Sequence, residues 1–176
     1  MSRMFAAAAA AAVALSGTVT MAASAAPAAP AAGRVTPVEC SNAELVASYH
    51  RTDAATSHRF GRLVLTNDSG HTCRLRGFGG LSYVGDGDGT QIGAAAGRTP
   101  SRTRWVTLAP GERAVSAVSA TVASAYPRRR CHPAHVDGFR VYVPDETRAQ
   151  FVPHATTGCR NPAIHLLEHK AYRHAR

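Results

Sequence analysis

Cys131-His132-Pro133-Ala134-His135 places a thiol and two imidazoles in one short stretch, and zinc and copper take ligands of these types. The spacing is loose. His132 and His135 become a metal site only if folding brings a further ligand to them, such as Asp137, His154 or His165. If Cys131 is in a disulfide it offers no thiolate, and two solvent-facing histidines in a loop remain. No cofactor is therefore assigned, and His132 and His135 stand only as candidate metal ligands.

Asp86-Gly87-Asp88-Gly89 is similar to the start of a calcium loop. The bidentate Glu such a loop requires is missing, and Gln91-Ile92 continues as strand, so a glycine-rich hairpin tip accounts for it. Serines and histidines are numerous, but none sits in a G-x-S-x-G elbow. No catalytic residue is assigned, and the expectation is a protein that is not an enzyme. Arg128-Arg129-Arg130 and the basic tail from Lys170 to Arg176 offer charge-assisted hydrogen bonds to an anionic partner. A solvated loop and a frayed terminus are the competing reading.

The positioning of these groups depends first on compartment. Arg3, the apolar run from Phe5 to Leu15 and the small residues ending Ala23-Ser24-Ala25 read as a secretory signal over 1–25, cut after Ala25. That run is too short to span about 30 Å of hydrocarbon, and no later stretch reaches about 18 apolar residues, so no transmembrane segment is expected. Cys40 lies well past the cleavage site, which argues for release and not for lipid anchoring. Export makes Cys40, Cys73, Cys131 and Cys159 two disulfides. Three pairings are possible on these residues alone. Lys+Arg total 20 against 11 Asp+Glu; without Arg3 the balance is 19 − 11, or +8. Such a charge favours an anionic cell-wall polymer, lipid headgroups or an acidic protein, with nucleic acid unlikely outside the cell.

Residues 26–37 form a Pro/Ala linker, and the folded unit is expected over 38–168 with a basic tail at 169–176. Leu45 to Tyr49 reads as a strand and Arg51 to His58 as a polar loop. Leu63-Val64-Leu65 and Cys73-Arg74-Leu75, separated by Asn67-Asp68-Ser69-Gly70, read as a hairpin. Leu81 to Val84 follows a glycine bend, Thr103 to Leu108 alternates, and Arg113 to Val122 is a long strand of small residues. Phe139, Val141 and Val143 alternate inward. Gln150 to Val152 is a short strand stopped by Pro153, Cys159 sits in a loop, and Ala163 to Leu167 is the last strand. About eight or nine short strands with regular turn signals and no strand–helix alternation predict an all-β sandwich.

The run from Leu65 to Phe78, then Leu81-Ser82-Tyr83-Val84, Val106 to Gly111, Cys131 and Phe139 to Pro144, resembles the actinobacterial secreted family called domain of unknown function 4232. The resemblance spans nearly all of the mature chain. It implies an immunoglobulin-like β-sandwich and the pairings Cys40–Cys73 and Cys131–Cys159, and it brings no catalytic or ligand residues. Many relatives carry a lipoprotein cysteine before the linker, which this chain lacks. The resulting expectation is a secreted, disulfide-stabilised, non-catalytic module that binds or supports something at the cell envelope. A metal-binding envelope protein using His132 and His135 is the first alternative. A secreted hydrolase, or an inhibitor presenting the loop Ala94 to Arg102, is the second.

Overall fold

The computed structural model of the protein describes residues 36–175, so the expected signal segment and most of the linker lie outside the described residues. The strands are β1 (Val38–Glu39), β2 (Leu45–Ala55), β3 (His58–Asn67), β4 (Cys73–Arg76), β5 (Gly80–Gly85), β6 (Thr90–Gln91), β7 (Gly97–Arg98), β8 (Trp105–Leu108), β9 (Arg113–Thr121), β10 (Pro133–Tyr142), β11 (Ala149–Cys159), β12 (Leu167–His169) and β13 (Arg173–His174). A 3-10 turn (Ala123–Ala125) and the single-turn helix α1 (Arg128–Cys131) lie between β9 and β10.

The strands form three sheets, ordered β1-β4-β8, β11-β10-β5-β6 and β2-β3-β9-β12-β7, with β13 added to β9. One core cluster draws on all three. Leu63 and Leu65 of β3, Leu81 and Tyr83 of β5, Phe139 and Val141 of β10, and Val106 and Leu108 of β8 are all buried in it. This is the all-β sandwich expected from the turn spacing. Phe139, Val141 and Val143 point inward as their alternation predicts. The disulfides are Cys40–Cys73 and Cys131–Cys159.

The hairpin expected around Asn67 to Gly70 is not a hairpin. β3 pairs with β2 and β9, whereas β4 pairs with β1 and β8 in another sheet. The chain changes sheets here, and Asn67 makes the corner. Its side chain is fully buried, with Nδ2 donating to the carbonyls of His71 and Leu108 at 2.9 Å each. Its Oδ1 accepts from the Ser69 amide and hydroxyl, and its carbonyl accepts from Gly111. An Asx-type turn satisfies the backbone of a connection just as it does that of a hairpin, so the local signal does not distinguish them.

Five further expectations are corrected. Arg51 to Ala55 is strand, not loop: β2 runs on to Ala55, pairing Ala54 with Arg59 and Ala55 with His58. This end of the ribbon is exposed on both faces, so it carries no apolar alternation. Pro153 does not stop its strand and Cys159 is not in a loop, because β11 is continuous to Cys159. β11 is an outer strand, and Pro153 faces Gly138 at a register shift, where a missing N–H breaks no ladder. Ala163 to Leu167 is mostly turn, with the strand starting at Leu167. The tail is not frayed: Tyr172 is 1 % exposed and Arg173–His174 pairs with β9, so ordered structure continues beyond residue 168.

Candidate binding cleft

Tyr49 and Arg51 project from the same face of β2, two residues apart, and Gly61 of β3 lies beneath Tyr49. A Cβ at residue 61 would overlap the phenol end of that ring. The space left by the missing side chain lets Tyr49 lie flat against the sheet. Across the sandwich its ring meets Phe139 at 4.9 Å between centroids and His154 at 4.8 Å. His154 stacks on Phe139 at 4.7 Å and 8° between planes, and Phe139 stacks on Tyr83 at 5.3 Å. Four rings from β2, β5, β10 and β11 thus form one continuous aromatic cluster, in which Phe139 is buried and Tyr49, Tyr83 and His154 form a floor.

Above this floor a cleft of about 570 Å³ opens between the six-stranded and four-stranded sheets, within the roughly 300–1,000 Å³ typical of small-molecule sites. Arg51, Arg59 and Arg128 line it, with Ala123 and Ser124 of the 3-10 turn and Thr156 and Thr157 of β11. Among the described residues no Asp or Glu does. Arg59 Nη1 donates to the carbonyls of Ala55 and His58 at 2.9 Å, which fixes it at the tip of the β2–β3 ribbon. Burial, then the Arg51 charge, holds the His154 imidazole below its ordinary pKa. Burial raises the Tyr49 and Tyr83 phenols. At neutral pH the floor is therefore uncharged and the walls are cationic.

Of the residues singled out from sequence, Arg128 and His154 line the cleft and the others lie elsewhere. Cys131 is in a disulfide and supplies no thiolate. His132, left-handed at φ 48°, ends α1 and is exposed; His135 is exposed on β10 with Nε2 3.3 Å from Asp137 Oδ1. Among the described residues no three His, Cys, Asp or Glu side chains converge as a metal set. Asp86 is held by Arg160 through two hydrogen bonds of 2.9 and 2.6 Å, and these bonds pull its carboxyl below the usual range. Asp88 Oδ1 accepts from the Thr90 amide at 2.8 Å, which caps the hairpin tip. Of the three consecutive arginines, Arg128 alone lines the cleft. The loop Ala94 to Arg102 is pinned down: the Ala96 amide donates to Leu81, the Thr99 amide donates to His169, and Ser101 Oγ accepts from the Ala171 amide.

Besides the exposed contact of Ser48 Oγ with His50 Nε2 at 3.3 Å on β2, one serine and histidine meet in the interior, Ser116 Oγ and His169 Nδ1 at 3.4 Å. Both are buried, at 0 % and 2 % exposure, and the serine hydroxyl donates to the Lys170 carbonyl. The pair ties β12 to β9 and has no opening for a substrate. The sequence marks none of Tyr49, Arg51 and Arg59, and marks His154 only as a possible metal partner of His132 and His135. The Tyr49-x-Arg51 spacing on one strand face is the available signal, masked because the polar run from Arg51 mimics a loop.

Comparison with curated proteins and with solved structures finds no match. A family model described as a domain of unknown function (DUF4232) matches residues 40–167. That span holds all four cysteines, the Asn67 corner and the strands that build the aromatic floor, and on it the chain belongs to the DUF4232 family.

Proposed function

We propose that this protein is an exported, non-catalytic binding module of immunoglobulin-like type, and that the cleft over Tyr49 and His154 takes an anionic ligand with a flat, apolar body. One observation carries the reading: an uncharged aromatic floor walled by Arg51, Arg59 and Arg128 with no carboxylate in the lining. Rings stack on the flat body, and guanidinium groups take the anion through paired hydrogen bonds. The signal-like first residues and the two disulfides support export into an oxidising compartment.

Phenyl phosphate, benzoate and benzyl alcohol test the reading by NMR titration. Shifts of the Tyr49 and His154 ring signals with the two anions, weak or absent with the alcohol, and loss of the effect in Arg51→Ala plus Arg128→Ala are expected. Equal response to the uncharged alcohol, or shifts confined to other surfaces, would sink it.

A further inference from the structure

A second groove, of about 750 Å³, lies between β8, β13 and β3, separate in its lining from the aromatic cleft. Arg62, Arg102, Arg104 and Arg173 line it with Trp105 and His174. Trp105 is 40 % exposed. The β4–β8 register sets Arg76 opposite Trp105 and Arg74 opposite Thr107. Both guanidinium groups reach the indole, at 3.9 Å for Arg74 and 4.8 Å for Arg76.

Among the described residues the ion pairs are Glu44–His71, Asp137–His135 and Asp86–Arg160, so none involves these arginines. Glu39, Asp145 and Glu146 share a smaller depression with Arg74 and Arg76 but lie outside ion-pair range, and the groove itself has no acidic lining. Gathering Arg62, Arg102, Arg104 and Arg173 with no acidic residue in the lining raises the local potential and attracts an anion. These cations come from three elements, β3, β13 and the segment entering β8. A chain of anions can meet cations held on separate elements. A folded acidic protein would need apolar anchor pockets. Here the one large exposed apolar side chain is an indole already stacked by two guanidinium groups. Two disulfides fit an oxidising compartment, where nucleic acid is not the ordinary polyanion.

We propose that the arginine groove around Trp105 binds a linear polyol phosphate, a polymer of phosphodiester-linked polyol units. The phosphodiesters meet Arg62, Arg102, Arg104 and Arg173 in succession, and a polyol segment lies along the exposed edge of the Trp105 stack. The site is independent of the cleft over Tyr49.

Trp105 is the only tryptophan, so its fluorescence reports on the groove. The full-length oxidised protein is titrated with a synthetic oligo(glycerol phosphate). Poly-glutamate and a single-stranded oligonucleotide of matched charge are titrated in parallel. A saturable change with the glycerol phosphate polymer is expected, weakening as salt rises and stronger than with either comparator. Arg102→Ala plus Arg104→Ala should lower the affinity by about tenfold or more. Both residues are exposed, so the melting temperature should hold; Arg62→Gln gives a second variant with the same expected direction. Arg51→Ala, in the other cleft, should leave the titration unchanged. No binding, equal binding of poly-glutamate, tighter binding of the oligonucleotide, or unchanged affinity in folded arginine variants would each overturn the proposal.

Discussion

The phenol end of Tyr49 occupies the volume that a side chain at Gly61 would fill. Gly61→Ala is expected to push the ring aside, because the overlapping atoms are the far end of a side chain and not backbone. The cost should be modest, about 1 kcal/mol in urea unfolding. The larger effect should be local: the Tyr49 contacts with Phe139 and His154 loosen, and the cleft response to phenyl phosphate weakens. Wild-type ring shifts in the variant would contradict the packing described.

Asn67 is buried and its amide bonds both the turn and β8. Asn67→Ala leaves the Leu108 and His71 carbonyls without that donor, and a loss of roughly 2–4 kcal/mol is expected from the unpaired groups and the broken corner. Asn67→Asp should not rescue it, since a carboxylate cannot donate. Chemical denaturation of the two variants checks both statements.

Cys73→Ser should lower stability by about 2–5 kcal/mol under oxidising conditions. The Cys40–Cys73 bridge spans 33 residues and anchors β1, which otherwise holds to β4 through the pairs Val38–Cys73 and Glu39–Arg74 and through the Cys40 amide, which donates to the Arg74 carbonyl. The signature beyond a lower melting point is faster proteolysis at the N-terminal edge. An unchanged melting point would refute the bridge.

Burial, with the nearby Arg98 charge, depresses the His169 imidazole from 6.5 to about 4. Above pH 6.5 it is neutral folded and unfolded, and pH has no effect through it. Between pH 6.5 and about 4 the unfolded chain takes up the proton first, so stability falls as pH drops; below about 4 this loss levels off. The total is roughly 3 kcal/mol. His169→Gln should flatten the pH dependence of unfolding in this window, whatever it costs at pH 7.

Most of the fold was legible where one face of a strand is buried and the other wet. Phe139, Val141 and Val143, or Val106 and Leu108, alternate because water and core alternate around them. Legibility failed where that contrast is absent. Residues 51–55 are exposed on both faces, so polar composition mimics a loop. Asn67 to Gly70 carries turn chemistry that serves a sheet change as well as a hairpin, and only the long-range partners β9 and β8 decide between them. The cleft was unread for a related reason. Its rings come from four strands far apart in sequence, and nothing local marks Tyr49, Tyr83, Phe139 and His154 as neighbours.

Pro153 on β11 has a meaning for how copies of this chain behave together. An outer strand presents a row of unused donors and acceptors to any other strand, and β11 is such a strand. A proline and a register shift each make an outer strand a poorer template for another strand, and β11 carries both at Pro153, midway along its eleven residues. An edge of that length is thus made poorly suited to recruit a neighbour.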